Sequence, residues 1–139
     1  MRNLPKIELH CHLDGSVRPN TVIDIDKKEN ILFSSDNIQD VIKTLHVSKG
    51  CTSLIEYLKR FELPNKIMQS KDSLSRITFE LLEDASKENV KYMEIRFAPM
   101  LHTKKGLSIK EVIKSVLDGM NKACQEFDIK SNLILGCMR

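Results

Sequence analysis

Hydrophobic and polar positions alternate at the start of this chain and then take up helical spacing. Residues 7–12, Ile7-Glu8-Leu9-His10-Cys11-His12, read as a short strand. Pro19 is placed to open a helix through Val22, Ile23 and Ile25, which Lys27 to Asn30 end. Asp36 is a candidate N-cap for a helix holding Ile38, Val41, Ile42 and Leu45, with a break at Lys49-Gly50. Thr52 or Ser53 starts another, with Leu54, Tyr57, Leu58 and Phe61 on one stripe. Ser70 to Asp72 can cap a long helix whose inward residues are Leu74, Ile77, Leu81, Leu82 and Ala85, with Asn89 as its stop. Residues 90–97 form a second strand, ended by Pro99. Ser108 and Glu111 make a capping box for a helix whose apolar face runs from Ile109 to Phe127. Residues 130–138 form a third strand.

Strands separated by helices predict an α/β fold with parallel pairing and right-handed crossovers. The first connection is long and carries helices of its own. Such insertions are where α/β barrels build their pockets. No internal repeat, low-complexity tract or linker is visible.

Composition narrows the picture only a little. A chain of 139 residues with 41% hydrophobic positions has the size and core of one globular domain. A net charge of +3 gives no reason to expect nucleic acid or a membrane surface as partner. Cys11, Cys51, Cys124 and Cys137 contain no C-x-x-C pair, so free thiols in a reducing cytoplasm are expected. The start lacks the apolar region of a signal peptide, and no run approaches the ~20 apolar residues of a membrane span.

The chemistry concentrates at the end of the first strand. Residues i and i+2 share a face, so His10 and His12 project together and Asp14 follows with the same parity. Two imidazoles so placed can share a metal ion, or can simply be the solvated end of a polar strand. Gly15 then lets the chain turn. Asp14 also reads as an Asx-turn residue.

The stretch Leu4-Pro5-Lys6-Ile7-Glu8-Leu9-His10-Cys11-His12-Leu13-Asp14-Gly15-Ser16 closely resembles the opening of adenosine deaminases, zinc-dependent (β/α)8-barrel hydrolases of the amidohydrolase superfamily. Tyr92-Met93-Glu94-Ile95-Arg96-Phe97-Ala98-Pro99 is similar to the family's second strand, and Ile134-Leu135-Gly136-Cys137-Met138-Arg139 to its third. Members run to more than twice this length. The resemblance therefore implies the first three β/α units of a TIM barrel with a helical insertion after strand 1. Residues 1–139 would be the N-terminal part of a single barrel domain, truncated.

The implied reaction is hydrolysis of adenosine to inosine and ammonia by a zinc-activated water. A metal makes a nucleophile available at neutral pH, a catalytic zinc wants about three protein ligands and an open position, and a protonated carboxylic acid must deliver a proton to the ring. By resemblance His10 and His12 are the first two zinc ligands. His12 also borders the substrate, and Asp14 holds the ribose 5′-hydroxyl. Relatives acting on free adenine carry Glu at that position and a branch acting on methylated nucleotides carries Asn, so Asp14 favours a purine nucleoside. Leu54, Tyr57, Leu58 and Phe61 become candidate lid residues, against the plainer reading that their stripe is core.

The third zinc-binding His, the general-acid Glu of a His-Ala-Gly-Glu stretch, the second catalytic His and an Asp-Asp pair have no counterparts here. The general acid thus lies outside this chain, which is expected to be inactive alone. Two alternatives stay open. The chain could be a non-catalytic fragment that packs with a complementing C-terminal polypeptide. It could also belong to another His-x-His metal-dependent hydrolase, although Leu13-Asp14-Gly15-Ser16 and Arg96-Phe97-Ala98-Pro99 argue against that. His46 reads as a surface or partly buried histidine. His102 follows the second strand on the active-site end but matches no family ligand. Glu8, Glu94 and Arg96, inside strands, suggest a buried ion pair or a hydrogen-bonded cluster between barrel layers.

Overall fold

The computed structural model describes residues 4–31, 37–47 and 50–137. Three strands, β1 (Lys6–His12), β2 (Val90–Phe97) and β3 (Lys130–Leu135), form one parallel sheet in the order β1-β2-β3. Between β1 and β2 lie α1 (Pro19–Glu29), α2 (Ile38–Leu45), α3 (Leu54–Leu58), α4 (Glu62–Ile67) and α5 (Lys71–Lys87). A 3-10 turn at Lys59–Phe61 separates α3 from α4. A second 3-10 turn (Pro99–His102) follows β2, and α6 (Ile109–Glu126) leads into β3. This is the α/β order expected from the sequence, with the helical insertion after the first strand. Among the described residues no helix is long and apolar enough to cross a membrane.

Local chemistry sets most of the boundaries. Ser70 opens α5 and Ser108 opens α6, each with its oxygen on the amide three residues ahead and the reciprocal bond returned. Asn89, after α5, has φ +62°, a left-handed position that asparagine tolerates better than most residues. Asn37 caps α2, its side chain accepting from the Gln39 amide at 2.9 Å. The expected cap at Asp36, the break at Lys49 and the strand end at Met138 lie outside the described residues. The third strand ends at Leu135, and the Gly136 amide makes its last bond to β2, to the Phe97 carbonyl 2.8 Å away.

The core sits between the sheet and the α5–α6 pair. Leu74, Ile77 and Leu82 of α5, Val112 and Val116 of α6 and Ile95 of β2 are essentially fully buried. Each such side chain contributes about 1.5–3 kcal/mol relative to exposure. A charged network docks α1 on α5. The Arg18 guanidinium donates to both oxygens of Asp84 and to Glu83 and the Glu80 carbonyl, and Arg76 joins Asp24 to Glu80.

The register decides what reaches the site. In β1 the pairing slips between Glu8 and Cys11, after which Cys11 faces Ile95 and His12 faces Arg96. A bulge here bends the strand just before its functional end. Cys11 and Ile95 turn toward the core, and His12 and Arg96 to the other face.

Candidate active site

The end of β1 is held by its own turn. The Leu13 amide donates to the Arg96 carbonyl at 3.0 Å, fixing the exit of β1 beside β2. The Ser16 hydroxyl donates to the His12 carbonyl at 2.7 Å, and the Gly15 amide to the same oxygen at 3.3 Å. Leu13 is buried completely, so the chain is pinned inward between two outward-facing functional residues. Burial raises the Cys11 thiol above its ordinary range, which makes it a structural thiol rather than a nucleophile.

The two histidines do share a face. Their ring centroids are 5.3 Å apart and tilted by 40°. Arg96 Nη1 lies 3.1 Å from His10 Nε2. A guanidinium only donates, so Nε2 is the acceptor and that ring's proton sits on Nδ1. His10 is then neutral, the form a metal requires, but its Nε2 lone pair is held by Arg96, which would have to release it to a metal. Among the described residues no group of three or more His, Cys, Asp or Glu is placed to share an ion. The pair fits a metal as two donors of a larger set.

Asp14 is the buried member of the strand end, 7% exposed. Its Oδ1 has no hydrogen-bond partner and stands 3.8 Å from His12 Nδ1. Burial raises its pKa, against the opposing pull of His12 and of the Asp14 and Gly15 backbone. His12 and Asp14 both line a cavity of about 470 Å3, walled by Leu58, Phe61, Phe97 and Leu101, with Asn65 and Arg96 adding polar groups. A second cavity of about 400 Å3 also touches Asp14 and Phe61 and is lined by His46, Tyr57 and Arg60. Phe61 stands between the two, its ring 6.4 Å from His12 and 5.6 Å from Tyr57.

The stripe on α3 therefore splits. Leu58 and Phe61 face the cavity that holds His12, and Tyr57 faces its neighbour. Leu54 is 71% exposed and lines neither. The stripe is not core. The 3-10 turn at Lys59–Phe61 interrupts the helical spacing and rotates Phe61 toward the strand end.

Other sequence expectations change. His102 is fully buried, packs on Phe97 and lines neither cavity. His46, by contrast, is exposed at the end of α2, as the sequence suggested. Glu8 and Glu94 do not pair with Arg96: Glu8 accepts from the His10 amide and Glu94 from the Tyr92 hydroxyl, while Arg96 turns to His10. Glu8 lies opposite Met93, well before Arg96, and the slip that follows brings His12 rather than Cys11 opposite Arg96.

One residue joining the walls had no sequence signal. Gln69, 4% exposed, donates to the Asn65 and Leu101 carbonyls at 2.6 and 2.9 Å and accepts from the Lys104 amide at 2.9 Å. It fastens the loop after β2 to the end of α4. Gln69→Leu leaves these buried groups unpaired and is expected to cost about 2–3 kcal/mol. Amide hydrogen exchange checks it. The Lys104 amide should exchange much faster in the variant while amides within α5 change little, and an unchanged Lys104 rate would contradict the clasp.

Comparison with known proteins adds three findings. The sequence model of a family described as adenosine deaminase matches residues 5–139. An adenosine deaminase of Clostridium botulinum is 57% identical over 138 residues, covering 99% of this chain and 42% of that protein. The chain spans about two fifths of the length of the curated relatives it matches. Among solved structures, an amidohydrolase of Burkholderia ambifaria with bound Zn aligns at a TM-score of 0.80 and 25% identity, over 96% of this chain and 36% of that one. Arabidopsis ADAL complexed with IMP aligns at 0.75 and 30% identity, over 96% of this chain and 41% of that one.

Proposed function

Because the chain belongs to the adenosine deaminase family, we propose that it carries the metal-binding and nucleoside-binding strand end of a site that hydrolyses adenosine to inosine and ammonia. The observation that carries this reading is the single cavity shared by His12 and the buried Asp14, with His10 beside it. His10 and His12 would hold zinc together with donors outside these 139 residues. Zinc bound there would lower the pKa of water toward neutrality. The bound Zn of the Burkholderia amidohydrolase supports that choice of ion, and the IMP in the Arabidopsis protein supports a purine ligand.

This chain's own residues bind and orient. Asp14 Oδ1 is buried without a partner, an acceptor suited to a sugar hydroxyl. Leu58, Phe61 and Phe97 offer apolar walls for a flat ring. His12, between Asp14 and Phe61, would border both the metal and the substrate. Residues 1–139 form the N-terminal part of one barrel domain in this reading. The remaining donors and the proton-delivering acid come from further polypeptide, continuous with this chain or complementing it. Cytoplasmic residence goes with the same reading and with four free cysteines.

The test completes the barrel by joining residues 1–139 to the remaining part of the C. botulinum relative. The completed protein should convert adenosine to inosine with a higher kcat/KM than it shows for adenine or AMP, and the 139-residue chain alone should not. Asp14→Asn should lower kcat/KM for adenosine about fivefold, because a neutral amide oxygen replaces a charged acceptor. Preference for adenine, or indifference to Asp14→Asn, would count against the assignment.

A further inference from the structure

The cavity holds a polar group that the strand end does not explain. Asn65 lies on α4, beside Leu58, Phe61 and Leu101 in the cavity wall. Its side-chain Oδ1 is buried and has no hydrogen-bond partner. Its backbone is not free to turn away, because the Gln69 amide holds the Asn65 carbonyl at 2.6 Å. An apolar side chain would finish this wall with no polar group to satisfy. An amide kept here without a protein partner carries a desolvation penalty unless something in the cavity donates to it.

We propose that Asn65 is a specificity-determining residue, its side-chain oxygen accepting one hydrogen bond from the bound purine nucleoside. The proposal rests on the reading of the cavity as a nucleoside site. A nucleoside carries two kinds of neutral donor, the exocyclic amine of the base and the hydroxyls of the sugar. Either satisfies an amide oxygen, and each is absent from a simple analogue. With Asp14 also in its lining, the cavity then has two acceptors, one charged and one neutral, within largely apolar walls. Such a site rejects ligands that leave an acceptor unpaired more strongly than ligands that merely fit less well.

The experiment measures equilibrium binding to the zinc-free completed protein, where no turnover interferes. The ligands are adenosine, purine riboside, which lacks the amine, and the 2′-, 3′- and 5′-deoxyadenosines. Asn65→Leu should weaken adenosine binding about five- to tenfold, the worth of one neutral hydrogen bond. It should leave one analogue unaffected, and that analogue identifies the donor. Asn65→Ala removes the same acceptor and should show the same pattern, so the proposal stays testable if the Leu variant fails to fold. Equal weakening of all five ligands, or no weakening of any, would overturn it. A parent that binds adenosine but fails to turn it over with zinc restored contradicts the deaminase reading and leaves the Asn65 assignment standing. A parent that does not bind adenosine overturns both.

Discussion

Gly119→Ala is expected to destabilise the fold by about 2 kcal/mol or more, although alanine is the better helix former. Gly119 lies inside α6 where that helix crosses α5. A Cβ there would stand 2.1 Å from the Ser75 carbonyl oxygen, 2.9 Å from its carbon and 3.0 Å from its Cα. All three are backbone atoms, so no side-chain rotation relieves the clash and the two helices must separate. Overpacking of this kind costs about 3 kcal/mol or more, and helix propensity returns only about 1. The helices that separate also carry the buried Leu74, Ile77, Val112 and Val116, so the loss spreads through the core. Gly50→Ala is the control, since a Cβ there meets nothing within 4 Å. Urea midpoints should show a large fall for Gly119→Ala and almost none for Gly50→Ala. Equal midpoints would mean that the helices do not approach this closely.

The second large effect is a loss of stability in mild acid that depends on His102. Its ring is fully buried and neither nitrogen has a hydrogen-bond partner. Desolvation by burial lowers its pKa from 6.5 to about 4, and the Lys104 charge adds to the shift. The Met68 backbone opposes part of it without reaching hydrogen-bonding geometry. The unfolded chain therefore takes up a proton near pH 6.5 that the folded chain refuses until about pH 4. Stability is complete above the unfolded value and falls as pH drops toward the folded one. Between pH 7 and pH 5 this amounts to about 2 kcal/mol. That window lies above the ordinary carboxylate range, so acidic residues contribute little to it. His102→Leu should flatten the decline between pH 7 and 5. A variant with the parent's slope would show that another group is responsible.

These two sites mark where sequence reasoning stopped. The caps at Ser70 and Ser108, the left-handed Asn89 and the apolar faces of α5 and α6 were legible because each is set by residues within a turn or two. The parallel sheet followed from the order of elements, and His10, His12 and Asp14 from two-residue periodicity together with a family resemblance. Gly119 carries no local signal, because its reason, Ser75, lies 44 residues away in sequence (119 minus 75). Asn65 sits in a short helix that follows a 3-10 turn and Gln69 just beyond its end, and neither carries a periodic signal. His102 was placed near the active-site end from its position after β2. The short turn at Pro99–His102 instead folds it back onto Phe97. The slip in β1 brought His12 rather than Cys11 opposite Arg96, and no residue type announces a bulge of that kind.

The central claim is that His10 and His12 are metal ligands of a deaminase. It is tested most directly by measuring bound zinc in the completed protein, with and without His10→Ala and His12→Ala. The account predicts one zinc per parent molecule, adenosine turnover that chelation abolishes and zinc restores, and loss of both metal and turnover in the double variant. A double variant that still binds one zinc and deaminates adenosine at the parent rate would contradict it.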